Sequence, residues 1–251
     1  MINEYSDQFY ESVTNRAEYS SRIIFSLLKN ALHPKTFVDV GSGDGVWSLS
    51  ALEHFESINH VEAWDLLAEK TYLDIAKKRF PSKNIISKRI DFESSDYGVE
   101  MVYDLAVCLE TFEHLSPSAC EKLSLFFSSH TRILIFSGAV PGQGGTNHIN
   151  EQPFKTWQRN LLDFGFFPLD FIRPNIQDKK NVPSYYKNNI VLWVNSKFLH
   201  ELDFVNWKKI LDLKFNPLNC SETLLLKMRY KMLSRFPAKL ITRLALFFDF
   251  R

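Results

Sequence analysis

The sequence predicts an α/β protein, a mostly parallel sheet with helices on both faces, followed by a helical appendage. Three observations predict it. Strand-length apolar runs alternate five times with helix-like patterns between residues 36 and 138. The fourth run, "VYDLAVCLE", is apolar through its middle, as a strand covered on both faces is. Seven of the nine glycines fall in just two loops, each at the end of a predicted strand.

The elements follow in order. Residues 4–30 read as a helix with Ile23, Ile24, Leu27 and Leu28 on one side. "TFVDV" (36–40) is a short buried strand, and 44–54 is helical. "HVEAWD" (60–65) is a second strand. A helix carrying Leu66, Leu67, Ile75 and Ala76 follows, closed by Pro81. "NIISKRIDF" (84–92) and "VYDLAVCLE" (102–110) are the third and fourth strands. Residues 116–129 form a helix with Ser116 as N-cap and Pro117 in its first turn. "TRILIFSG" (131–138) is the fifth strand, and "EQPFKTWQRNLLDFGF" holds a helix ending at Gly165. Two further strands are expected at 166–172 and 189–195, with 173–189 as a long polar loop between them. The core domain is therefore 1–196, with 1–34 as a helical lid, and 197–251 is a helical extension.

Bulk properties limit the function. At 251 residues and 45% apolar, the chain can bury a full core. A net charge of +1 carries no field that would announce nucleic acid. Cys108, Cys120 and Cys220 are scattered and lack CxxC or CxxH spacing, which favours a reducing compartment and no structural zinc. "MINEYSDQFYESV" has neither the basic start nor the apolar centre of a signal peptide. No apolar run approaches the roughly 20 residues of a membrane span. A cytoplasmic protein is the expectation.

The first glycine loop, Gly41-Ser42-Gly43-Asp44-Gly45, follows the first strand, where open sheets of this type bind ligands. Dinucleotide enzymes show G-x-G-x-x-G there, with pyrophosphate on a helix N-terminus. This chain has G-x-G-x-G, with Val46 at the dinucleotide pattern's third glycine and acids on each side of the turn, Asp39 and Asp44. Carboxylates repel pyrophosphate and suit an ammonium-bearing ligand. Asp65, ending the second strand, can accept from both hydroxyls of a ribose. Asp91 with Phe92, ending the third, suits an adenine: the acid takes the exocyclic amine and the ring packs on the base. The set fits S-adenosylmethionine better than NAD, and an NAD-dependent oxidoreductase is the weaker reading. A tight strand-to-helix turn without a ligand is the alternative for the loop alone.

"FVDVGSGDGVWSL", "YDLAVCLETFEHL" and "FSGAVPGQGGTNHINEQPFKTWQRNLLDFGF" resemble a bacterial branch of the class I S-adenosylmethionine-dependent methyltransferases, similar to groups often encoded among surface-polysaccharide genes. The similarity runs from about Tyr5 through "YYKNNIVLWV". It implies a Rossmann-like seven-stranded sheet with an antiparallel final strand. By position, Asp39, Gly41, Gly43 and Asp65 match the family's cofactor motifs, Asp91 its adenine-side acid, and Leu109 with Glu110 the residues after the fourth strand. "VEAWDLL" departs from the usual glycine-containing turn after the second-strand acid.

The second glycine loop, "SGAVPGQGGTNHINEQP", should open on the same edge of the sheet and cover a ligand. If the acceptor of a methyl group is a hydroxyl, a base must take its proton, and a histidine is suited to that. His148 is the first candidate, with Glu151 as orienting partner. The alternative is a histidine that hydrogen-bonds its own loop. "ETFEH" adds Glu110 toward the cofactor and Glu113 or His114 toward the acceptor. The Glu/His pair lacks a third ligand at suitable spacing, so no metal is expected. Tyr5, Tyr10, Tyr19 and Arg22 are candidate lid residues, or ordinary packing.

The acceptor is expected to be a small molecule or glycan, the sugar being inherited from the resemblance. Nucleic-acid amino-methylating enzymes carry Asp/Asn-Pro-Pro-aromatic where this chain has "LETF", so nucleic acid is not expected. A non-catalytic binding protein that keeps the fold is the other reading. In residues 224–248, Lys227, Arg229, Lys231, Arg235, Lys239 and Arg243 occur without an acid among apolar residues. That composition fits a helix on an anionic membrane surface, or one packed on protein, and Pro237 divides it.

Overall fold

The computed structural model describes residues 7–66, 71–93, 97–98 and 101–201. Tyr5, the side chain of Tyr10 and the basic segment with Pro237, on which the membrane expectation falls, lie outside the described residues. Among the described residues no helix is long and apolar enough to cross a membrane.

Seven strands form one sheet in the order β3-β2-β1-β4-β5-β7-β6. They are β1 (Thr36–Val40), β2 (His60–Asp65), β3 (Asn84–Arg89), β4 (Tyr103–Leu109), β5 (Thr131–Ser137), β6 (Phe166–Leu169) and β7 (Val191–Asn195). β1 through β5 pair in parallel, and β7 runs antiparallel to both β5 and β6. The helices are α1 (Asp7–Leu28), α2 (Val46–His54), α3 (Thr71–Arg79), α4 (Pro117–His130), α5 (Phe154–Asp163), α6 (Ile172–Ile176) and α7 (Ser184–Asn189). The fold class and all seven strands match the sequence reading; β3 and β6 stop three residues early, at Arg89 and Leu169.

Strand alternation divides the core into two layers. Phe37, Leu105, Val107, Ile133 and Ile135 face α1, α2, α6 and α7, where Phe25, Trp47 and Tyr186 pack edge-to-face. Val38, Val40, Ala106, Cys108, Leu134 and Phe136 face α4 and α5. Ser116 caps α4 as expected, its hydroxyl accepting from the Ala119 amide at 3.2 Å.

The expected loop at 173–189 is a correction. It folds into α6 and α7, and Ile172, Ile176, Val182 and Tyr186 are buried. The polar composition conceals an Ile172/Ile176 pair one helical turn apart. Residues 196–201 continue as a 3-10 turn packed on β5 and β7. The proposed lid residues Tyr19 and Arg22 sit on α1, which lies along α2. Tyr19 packs on the core, and Arg22 pairs with Glu18 at 2.7 Å and reaches Glu53 at 4.0 Å.

One buried acid belongs wholly to the fold. Glu62, on β2, accepts from the Trp64 indole at 2.7 Å and pairs with Lys88 at 2.8 Å and His60 at 3.2 Å. Burial alone would raise its pKa; the donors around it outweigh burial and hold it below the ordinary 4.5. A depressed folded pKa contributes stability above the unfolded value and loses it as pH falls through the folded value. Glu62→Gln should therefore destabilise the protein by about 1.5–3 kcal/mol at pH 7. In urea titrations the gap between variant and native protein should narrow as pH is lowered below 4.5.

Candidate active site

The carboxyl ends of β1 and β4, the middle strands of the parallel set, bring the two decisive loops together. After β1, Gly41, Gly43 and Gly45 take φ of 75°, 54° and 95°. At Gly41 a Cβ would stand 2.2 Å from the Thr111 hydroxyl oxygen, which projects from the turn after β4. Thr111 donates to the main-chain carbonyl of Val40 or Leu109, at 3.3 and 3.1 Å, so the two loops are sewn at the level of the strand ends. At Gly43 a Cβ would meet nothing within 4 Å. That face is open to the approach of a ligand.

The acids predicted for the cofactor are placed unequally. Asp39 is buried, and its carboxylate accepts from the Ser48 hydroxyl of α2 at 2.8 Å. Asp65 accepts from the Gly43 amide at 2.8 Å, so the second-strand acid closes on the first loop. The Asp44 carbonyl accepts from the amides of Tyr72 and Leu73 at 3.1 and 3.3 Å, which satisfies the start of α3. Ser42 is buried in the loop, and its amide bonds to the Trp64 carbonyl at 3.0 Å. Leu109 is the last residue of β4 and lies in the core. Asp91 is exposed and accepts from the Glu93 amide in its own turn. Phe92 corrects the expectation of an adenine platform: its ring is buried in the α4/α5 layer, edge-on to Tyr97. It follows β3 as the chain turns inward, and core packing claims it.

The second loop completes the site. It is pinned to the turn after β4 by the amides of Ile149 and Asn150, which donate to the Glu113 carbonyl at 2.8 and 3.0 Å. This places His148 beside Glu113 and His114. Glu151 accepts from the amides of Gly142 and Gly144 at 2.9 and 3.0 Å, and its Oε1 lies 2.8 Å from His148 Nδ1. That bond puts the ring hydrogen on Nδ1 and leaves a lone pair on Nε2. His148 Nε2 points toward Glu113 Oε1 at 4.0 Å, and its ring stands edge-to-face on His114 at 4.9 Å. The loop needs glycine at 145, where a Cβ would stand 2.0 Å from His148 Nε2.

Glu110 adopts φ of 51°, uncommon for a residue with a side chain and concentrated at functional sites. Its carboxylate accepts from Ser137 at 2.7 Å and from the Gln143 amide. Gln143 in turn accepts from Asn189 of α7 at 2.9 Å. Burial raises the pKa of Glu110 against these hydrogen bonds. Burial raises Glu113 much further, helped by the neighbouring Glu110 charge. Burial, then the nearby His148, lowers His114, which keeps its ring neutral.

Ser137, Gln143 and Asn189 form the hydrogen-bond chain around Glu110, with Tyr186 on the same short helix as Asn189, and the sequence reading named none of them. Ser137 and Gln143 border or lie within the second glycine loop, a usable signal. Tyr186 and Asn189 arrive on a short helix that has no sequence signature.

Comparisons with known proteins agree on the fold. No family model matches the chain, and no curated protein matches its sequence. Among solved structures, it is similar to an O-methyltransferase family protein from Burkholderia thailandensis (TM-score 0.59, 11% identity, 76% of this chain and 59% of that one). It is similar to a protein assigned as an O-methyltransferase from Nostoc punctiforme (TM-score 0.55, 12% identity, 75% and 59%). It is also similar to the magnesium protoporphyrin IX methyltransferase of Synechocystis, solved with bound S-adenosylmethionine (TM-score 0.51, 16% identity, 77% and 86%). The chain thus has the fold of these methyltransferases and spans about three-fifths of the length of the first two.

The two glycines separate stability from binding. Gly41→Ala combines a positive φ with displacement of Thr111 and should cost about 3 kcal/mol or more. Gly43→Ala meets open space and should cost about 1–2 kcal/mol from its φ alone. Thermal unfolding of the two variants checks the order.

Proposed function

We propose that the chain is an S-adenosylmethionine-dependent methyltransferase acting on a hydroxyl of a saccharide or glycan intermediate. The observation that carries the methyltransferase reading is the loop after β1. Its Gly43 face is open, Asp65 closes on it at 2.8 Å, and Asp39 lies buried behind it. That donor set suits a ribose and an ammonium group and disfavours a pyrophosphate. Asp65 keeps acceptor capacity for ribose hydroxyls beyond its bond to Gly43. The saccharide rests on the sequence resemblance, together with a polar, hydrogen-bonding cluster at the same sheet edge.

When bound, the cofactor supplies a methyl group already activated by the sulfonium charge. The protein has to align the acceptor oxygen, exclude water and receive one proton. His148 is assigned that proton at Nε2, with Glu151 holding the ring through Nδ1. Held by Asp65 and the open Gly43 face, the cofactor would supply the methyl group to the acceptor oxygen and would itself be left as a neutral thioether.

Calorimetry with S-adenosylmethionine, its demethylated product and NAD tests the cofactor. The first two should bind and NAD should not; the reverse pattern would replace the reading with an oxidoreductase. Asp65→Asn, which retains an acceptor for the Gly43 amide, should weaken S-adenosylmethionine by about tenfold or more. His148→Ala should lower turnover by about a hundredfold or more at unchanged cofactor affinity. Turnover is measured with labelled cofactor on cell-envelope extracts, with the product identified by mass spectrometry. Binding without any labelled product would assign a binding role instead.

A further inference from the structure

We propose that Glu113, His114 and His148 form a binding site for one divalent transition-metal ion. Sequence spacing offered the i,i+4 pair Glu110/His114, and the structure sets Glu113 with His114 instead. The fold supplies the third member, 34 residues away from His114, through the Glu113 carbonyl's bonds to Ile149 and Asn150. One ligand atom from each of the three residues lies within 4.8 Å of the others, a separation that a central ion can span.

Three features single this cluster out. First, Glu113 is fully buried, and neither carboxylate oxygen has a hydrogen-bond partner. A buried acid without donors is costly, and a cation is the group that would satisfy it. Second, both imidazoles are arranged as ligands. His148 Nδ1 is held by Glu151, and His114 Nδ1 lies 3.3 Å from the Asn147 carbonyl, which can only accept. Each ring therefore carries its hydrogen on Nδ1 and a lone pair on Nε2. A carboxylate or carbonyl behind each metal-binding histidine is the usual second support of such sites. Third, Glu113 is buried, His148 half-buried and His114 exposed. The ion would face solvent on one side, leaving positions for water or an acceptor oxygen. Two imidazoles and one carboxylate suit manganese, iron, cobalt or zinc better than magnesium or calcium, which prefer all-oxygen shells.

A bound ion would occupy the His148 Nε2 lone pair, so metal ligation and the His148 base are alternative uses of one ring. The ion would supply Lewis acidity that lowers the pKa of an acceptor hydroxyl beside it. Binding of the ion itself does not depend on the methyl-transfer reading.

The test is isothermal titration of chelator-stripped full-length protein with manganese(II) and, separately, zinc(II). Wild type should take up one ion per chain with a micromolar or tighter dissociation constant. His148→Ala and Glu113→Gln should each weaken uptake by more than tenfold, and Glu151→Gln, which loosens the ring, by about tenfold. His33→Ala, an exposed histidine elsewhere, should leave uptake unchanged. S-adenosylmethionine titrations on the same samples report separately on folding and on the cofactor reading. No saturable uptake of either metal by wild type, or equal uptake by wild type, His148→Ala and Glu113→Gln, would overturn the site even where S-adenosylmethionine binds.

Discussion

The contact between Gly41 and Thr111 is the constraint on which the site depends. β1 sends its connection toward β2 on one side, and β4 sends its connection toward β5 on the other. Their carboxyl ends therefore diverge and leave a crevice. Thr111 fills the bottom of that crevice against Gly41, which has no side chain to resist it. Its hydroxyl reaches the main chain of both strands. Everything above is built from this seam: the Asp65 closure on one flank, the Glu110–Ser137–Gln143 chain on the other.

The second loop is positioned by a different principle. It has no regular structure, yet its conformation is heavily determined. Glu151 gathers two glycine amides and one imidazole, and the Glu113 carbonyl gathers two further amides. Glycine is needed at 145 because the His148 ring occupies the space beside it. A loop satisfied in this way holds its histidine in one tautomer and one direction. That precision is what proton transfer or metal ligation both require.

Much of the fold was legible in the sequence because parallel strands advertise themselves. "YDLAVCL" and "RILIF" are covered on both faces and read as apolar runs, and Ser116-Pro117 is a helix start by local chemistry alone. The placement of Asp39, Gly41, Gly43 and Asp65 was legible for a related reason: they sit in or just after strands, whose positions alternation predicts. α6 and α7 were not legible, since helices of five and six residues complete too few turns to show a period. Phe92 was misread because an aromatic after a strand-end acid looks the same whether it faces a ligand or the core. The juxtaposition of His148 with Glu113 depends on two long connections meeting above the sheet, and no local pattern encodes that.

Two glutamates show how the same side chain serves different ends. Glu62 and Glu113 are both buried, and neither could be distinguished from a surface acid by its sequence neighbours. Glu62 is surrounded by Lys88, Trp64 and His60, so its charge is matched and its pKa lies low. Its burial is a closed account within the fold. Glu113 is set in a 3-10 turn with neither oxygen in a well-formed hydrogen bond, and burial, then the neighbouring Glu110, drives its pKa up against the nearby Glu113 and Ala139 amides. Replacement by an apolar residue of similar size would relieve that cost, as is generally true of poorly compensated buried charge. Stability alone therefore gives no reason for a glutamate at 113. The reason has to come from something the site holds or does, and the two imidazoles gathered beside the same carboxyl indicate where that happens.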